Sequence, residues 1–277
     1  MLGAMSQTVV ITGAAGKVGR LLRERLARPD RSLRLMDVLP PEPAAPGEDA
    51  EVFTGSVTDL PALEALVAGA DAVIHLGGQS RESNMADVLE NNALGTYCLF
   101  EAVRRAGVGR VIFASSNHAA GFLDRVDAPA DGFPADATGR PDTLYGWSKV
   151  AGEAMASLYA DRYGIDVLCP RIGMCMPQPI DVRSLALWQS PDDAVRMFEA
   201  LLAVESPGFR HLWGISRNTR RFMSLAEGEA LGYLPKDDSE AYADAIIEGK
   251  PTPDYAHDLV LRRIGGQWCD VPLGEYY

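Results

Sequence analysis

Apolar residues in this chain gather in short runs, each followed by a stretch in which they recur every three or four positions. Thr8-Val9-Val10-Ile11-Thr12 has the β-branched texture of a strand buried on both faces. Glycines punctuate residues 13–19, after which Leu21, Leu22, Arg25 and Leu26 share one helical stripe. The same alternation predicts strands over 33–36, 72–76, 110–114 and 165–170, with the third strand in chain order ahead of Thr58-Asp59. It predicts helices over 61–69, 86–106, 143–163 and 191–204, with Gly107 and Gly164 where helix ends need a left-handed residue. Strand and helix alternating at this pace build βαβ units on a mostly parallel sheet. Residues 40–47 and 122–143 are too rich in proline and polar residues for core elements and read as loops. Past Arg171 the texture changes: Pro177 and Pro179 interrupt it, and after residue 204 only short pieces dense in Gly and Pro remain. The expected division is a sheet domain over 1–170 and a small lobe over 171–277, packed on the sheet and not independent.

Composition narrows the class. A chain of 277 residues suits one large α/β domain with an attached lobe. Its net charge of -12 argues against a nucleic-acid partner, because phosphate binding needs a basic surface, although a local positive pocket stays compatible with it. Cys98, Cys169, Cys175 and Cys269 show no CxxC spacing and read as buried or free thiols of a reducing cytoplasm. The scattered histidines suggest no metal site, and no apolar run reaches the length of a membrane span. The opening Met-Leu-Gly-Ala-Met reads as an addition ahead of a start at Met5, without a function of its own.

The segment Gly13-Ala-Ala15-Gly16-Lys17-Val18-Gly19 lies between a predicted strand and a predicted helix. Glycines there permit a tight turn and let backbone approach a pyrophosphate, while the helix start supplies free N–H groups. This is the dinucleotide-binding turn of a Rossmann fold, a doubly wound, mostly parallel α/β sheet. Asp37 closes the second strand, where a carboxylate accepts hydrogen bonds from the adenosine ribose and repels a 2′-phosphate, which favours NAD over NADP. Leu76, Gly77 and Gly78 end another strand beside the same crevice. Asp59 either contacts adenine or caps the next helix.

Tyr145-Gly-Trp-Ser-Lys149 opens a helix, so its phenol and ammonium lie one turn apart on one face. An ammonium beside a phenol favours the phenolate, making the pair a general base for a hydroxyl proton. Ser116, at the end of the preceding strand, is placed to hydrogen-bond the oxygen that loses that proton. Asn92 either holds a bent backbone or a water near the lysine, or is a plain helix amide.

Taken together, these segments resemble the extended short-chain dehydrogenase/reductase superfamily, also called the NAD-dependent epimerase/dehydratase group. The resemblance spans residues 9 to about 172, including Asn92-Ala-Leu-Gly-Thr96 and Ser115-Ser116, and departs where Ser56 replaces a frequent aspartate. It implies NAD as cofactor. Residues 171–277 leave little room for a sugar nucleotide. His75-Leu-Gly-Gly-Gln-Ser80, Ser115-Ser-Asn-His118, Arg171–Pro179 with Arg183, and Gly265–Asp270 resemble the uronate dehydrogenase branch. That resemblance implies a free uronic acid as substrate, hydrogen-bonded by Ser80, Ser116, Asn117, His118 and Tyr145, with Arg183 on its carboxylate. Met174 departs from the small polar residue this branch implies, and Trp268 falls where it implies an aromatic. Each residue has a plainer alternative: His118 caps backbone, Arg183 pairs with Asp181, Asp192 or Asp193, and Ser80 caps a helix. For the whole protein, an epimerase or dehydratase that holds NAD transiently and a non-catalytic NAD sensor are the alternatives. A cytoplasmic homo-oligomer is expected.

Overall fold

A computed structural model describes residues 6–276; the opening pentapeptide lies outside them. The chain runs through β1 (Gln7–Thr12), α1 (Lys17–Leu26), β2 (Arg31–Asp37), β3 (Ala50–Thr54), α2 (Leu60–Val67) and β4 (Ala72–His75). There follow α3 (Met85–Val88), a π-helical turn (Leu89–Leu94), α4 (Gly95–Ala106), β5 (Arg110–Phe113) and the short β6 (Ser115–Ser116). A long α5 (Leu144–Tyr163) leads to β7 (Asp166–Ile172), β8 (Met174–Cys175), α6 (Ser184–Leu187), β9 (Trp188–Gln189), α7 (Pro191–Ala203), β10 (Phe209–Gly214) and α8 (Ala226–Ala230).

The main sheet is parallel, in the order β3-β2-β1-β4-β5-β7-β10, with β6 pairing β7 beyond the end of β5. The chain builds outward from β1 to β3, returns to β4 beside β1, and then builds the other way. Such a reversal opens a crevice at the carboxyl ends of the two central strands. Side chains alternate across β1: Val10 faces a core with Leu63, Phe100, Val111 and Tyr159, while Val9 and Ile11 face Leu22, Leu26, Phe198 and Leu201. Both faces are thus covered by helices, as an all-parallel sheet requires.

The boundary expected at residue 170 is no seam in the structure. β7 continues to Ile172, β10 extends the sheet in register with it, and α7 packs beside α1 in the same core. β10 carries no buried-strand signature because it is an edge: Arg210 faces solvent while Leu212 and Trp213 are buried. A separate cluster of Leu123, Phe133, Leu187, Trp213, Ile215 and Ile264 builds the lobe against the sheet. The single helix expected over 86–106 is interrupted by the π turn, a distortion that commonly serves a site. Among the described residues, no helix is long and apolar enough to cross a membrane.

Candidate active site

A cleft of about 570 Å³ lies at the carboxyl ends of β1, β4, β6 and β7. Gly13, Ala15, Gly16, Lys17, Val18 and Gly19 form one wall, and Leu76, Ser80, Ser116, Tyr145 and Lys149 line the remainder. Gly13 has a φ of +72°, and a Cβ there would sit 2.7 Å from the Leu76 carbonyl carbon. Only glycine lets the turn come this close to β4. No side chain caps the amino end of α1, so its first N–H groups face the cleft side of the turn without a side-chain acceptor. These residues fit a dinucleotide pyrophosphate. Asp37 is anchored at the end of β2, accepting from the Ala15 N–H at 3.0 Å and the Leu39 N–H at 3.1 Å. Its carboxylate therefore faces the turn, where a ribose would lie.

Other expected cofactor contacts resolve differently. Asp59 is the N-cap of α2, accepting from the Ala62 N–H at 3.1 Å, and it does not line the cleft; the capping alternative is the one observed. Gly77 and Gly78 also do not line the cleft wall; a Cβ on Gly78 would lie 2.6 Å from Asn92 Oδ1, so glycine there lets Asn92 approach. Asn92 is buried in the π turn, accepts from the Gln79 N–H at 2.6 Å, and donates to the Gln79 carbonyl at 3.1 Å and to Ser148 Oγ at 2.7 Å. It holds the loop after β4 against α5. Ser56 keeps a local role, its Oγ accepting from the Thr58 N–H at 3.2 Å.

Thr143 caps α5 by accepting from the Gly146 N–H, and Glu82 accepts from the Tyr145 N–H at 2.9 Å. Tyr145 thus enters the cleft from the first turn, where Ser116 lines the same wall and favours its ionised phenol. One turn on, Lys149 Nζ donates to the Ala114 carbonyl at 2.9 Å and lies 5.6 Å from the Tyr145 ring centre. The expectation that the ammonium lowers the phenol is not met here. Burial raises the Tyr145 phenol, against the opposing Ser116 hydrogen bond. Burial also pulls Lys149 down to about 8, with the Glu153 charge opposing. Removing water disfavours both charged forms, and the Asp142 charge adds to the rise at Tyr145.

The expected substrate residues divide. Ser80 is exposed on the cleft rim and caps no helix, since Asn84 caps α3. His118 does not line the cleft wall; its Nδ1 lies 2.7 Å from the buried Asp142 carboxylate and its ring meets Tyr145 and Trp268 edge-on. Asn117 is buried, its amide oriented to donate to the Ile172 carbonyl at 3.1 Å and to accept from Arg183 Nη2 at 3.2 Å. Arg183 is 7% exposed and forms no ion pair within 4 Å among the described residues; Asp192 pairs with Arg25 and Asp193 with Arg196, and Asp181 acts on it only as a nearby charge. Its guanidinium donates to the Ile264 carbonyl and lies 3.7 Å from the Met174 sulfur. Arg183 is one side chain removed from the cleft, since Gly173 and Cys175 line the wall on either side of Met174.

Three supporting residues went unread in the sequence. Glu153, buried and one further turn along α5 from Lys149, accepts from Ser115 Oγ at 2.5 Å and from Arg171 through two bonds at 2.9 and 2.8 Å. Its spacing of four from Lys149 was the available signal; its partner Arg171 lies on β7. Asp142 and Glu82 are buried carboxylates whose partners, His118 and the start of α5, become visible only in three dimensions.

The comparisons with known proteins agree with this geometry. Residues 9–175 match the NAD dependent epimerase/dehydratase family. The uronate dehydrogenase of Pseudomonas putida is 44% identical over 245 residues, covering 88% of this chain and 89% of that one. The uronate dehydrogenase of Agrobacterium fabrum is 40% identical over 265 residues, covering 96% and 97%. A crystal structure of an Agrobacterium tumefaciens uronate dehydrogenase variant complexed with NAD superposes with a TM-score of 0.88 at 39% identity, covering 96% of this chain and 98% of that one. The chain belongs to the NAD-dependent epimerase/dehydratase family, on its uronate dehydrogenase branch.

Proposed function

We propose that this protein oxidises a free hexuronic acid, galacturonate or glucuronate, at C1 to the aldarolactone with NAD. The single observation that carries this reading is one cleft lined by a dinucleotide turn on one wall and by Ser116, Tyr145 and Lys149 on the rest. NAD, held by the Gly13–Gly19 turn and Asp37, would supply the acceptor for the C1 hydride. Tyr145 takes the proton of the anomeric hydroxyl, Ser116 holds that oxygen, and Lys149 passes the proton onward, so that hydroxyl and C–H bonds become a lactone carbonyl. Ser80 orients the sugar at the cleft rim, Asn117 and His118 do so from behind the wall, and Arg183 attracts its carboxylate from beneath Met174. Purified protein incubated with uronic acids, neutral aldoses and sugar nucleotides should form NADH only with the uronic acids. Turnover of a sugar nucleotide without NADH release would instead identify an epimerase. We extend the proposal to a cytoplasmic homo-oligomer, which light scattering on purified protein would test.

The Tyr145–Lys149 pair must lose one proton before it can act as a base. Because Lys149 sits at about 8, kcat/KM for oxidation should fall as pH drops below about 8 and level off above it. A profile flat across that value would remove the pair from proton transfer.

Arg183→Ala should raise KM for uronates roughly 10–100-fold and leave NAD affinity intact, the worth of one charge-assisted contact. Arg183→Lys should recover only part, since an ammonium lacks the guanidinium fork. Normal kinetics in the alanine variant would place the carboxylate anchor elsewhere.

A further inference from the structure

A guanidinium taken partly out of water needs a carboxylate or a full set of acceptors. Most of the half-buried or buried arginines described have a carboxylate within reach; those without one are Arg34, Arg125, Arg183 and Arg221. Arg34 is satisfied at the end of α2, donating to the Leu66 and Ala68 carbonyls at 3.0 and 2.7 Å. Arg183 belongs to the site already described. Arg125 and Arg221 remain, and both line one open groove of about 620 Å³.

The guanidinium of Arg125 lies 4.3 Å from the Phe222 ring centre and 4.8 Å from that of Tyr255. One of its nitrogens donates to the Arg220 carbonyl at 2.9 Å, while its Nε is buried without a partner. Burial pulls the Arg125 pKa down, and the neighbouring Arg220 charge adds to the effect. Arg221 donates to the Asn218 carbonyl at 3.1 Å. Asp238 feels the Arg221 charge, but its oxygens are engaged by the Thr219 N–H and hydroxyl at 2.9 and 2.6 Å. Arg217 at the rim is neutralised by Glu229 at 2.6 Å, and Asp131 is the other acidic residue on the wall. Two cations with no described carboxylate in ion-pair contact therefore share a roomy groove in a chain of net charge -12. An oxyanion between them would supply the missing charge and acceptors.

We propose that this groove binds the carboxylate or phosphate group of a small metabolite through Arg125 and Arg221. The groove shares no lining residue with the catalytic cleft, so it is a second ligand site. The test titrates the full chain with inorganic phosphate and, separately, with citrate, by calorimetry in a buffer free of both. At least one should bind, and Arg221→Gln should weaken it about tenfold, as expected when one charge-assisted contact is lost. Turnover of Arg221→Gln without added anion should match the unaltered protein. Arg125→Met, which keeps an apolar stem between the two rings, should weaken binding as well; if it fails to fold, Arg221→Gln alone decides. Binding of phosphate only assigns the groove to phosphate esters, and binding of citrate only to carboxylic acids. Absence of binding by both, or equal binding to Arg221→Gln, overturns the proposal.

Discussion

Tyr145→Phe should lower kcat for uronate oxidation by roughly 10²–10⁴-fold, the usual worth of a positioned general base. The substitution removes one oxygen and keeps the ring, so its packing edge-on to His118 should survive. NAD affinity should change little, because the glycine turn and Asp37, which that turn anchors through the Ala15 N–H, do not depend on the phenol. A calorimetric Kd for NAD measured beside steady-state kinetics separates the two effects. Near-normal kcat in this variant would disprove the assigned base. Weakened NAD binding would show that the phenol supports the dinucleotide instead.

Glu153→Gln should cost roughly 3–5 kcal/mol of stability, since it leaves the buried Arg171 guanidinium without its counter-charge. For a chain of this size that is a fall in Tm on the order of ten degrees. Burial pushes the Glu153 carboxyl up, but Arg171 and His211 outweigh it and hold the group at about 2, below its ordinary 4.5. A depressed carboxyl stabilises the fold above its unfolded pKa, and that contribution is lost as pH falls towards the folded value. The unaltered protein should therefore lose stability steeply between about pH 4.5 and 2, and the variant less steeply. Thermal melts across that range test the prediction. An unchanged Tm would mean that Arg171 finds its compensation in the Ala137 carbonyl, 2.8 Å from Nη1.

What the sequence determined by itself were features whose causes lie close together along the chain. The β-branched run Thr8–Thr12, the glycines of residues 13–19 and the four-residue spacing of Tyr145 and Lys149 each act through local backbone geometry. The cofactor turn, the base pair and the alternation of strands with helices could therefore be read directly. The tertiary structure alone decided everything that depends on burial or on partners far apart in the chain. It gave Asp59 to a helix cap, buried Arg183 against the Ile264 carbonyl, and joined Glu153 on α5 to Arg171 on β7. It brought Phe209–Gly214 into the sheet by pairing with β7, which no property of that hexapeptide announces. It also set the proton affinities of Tyr145 and Lys149. Spacing predicts that the ammonium helps the phenolate, but the energy of a charge depends on the water removed around it, and packing alone determines that loss.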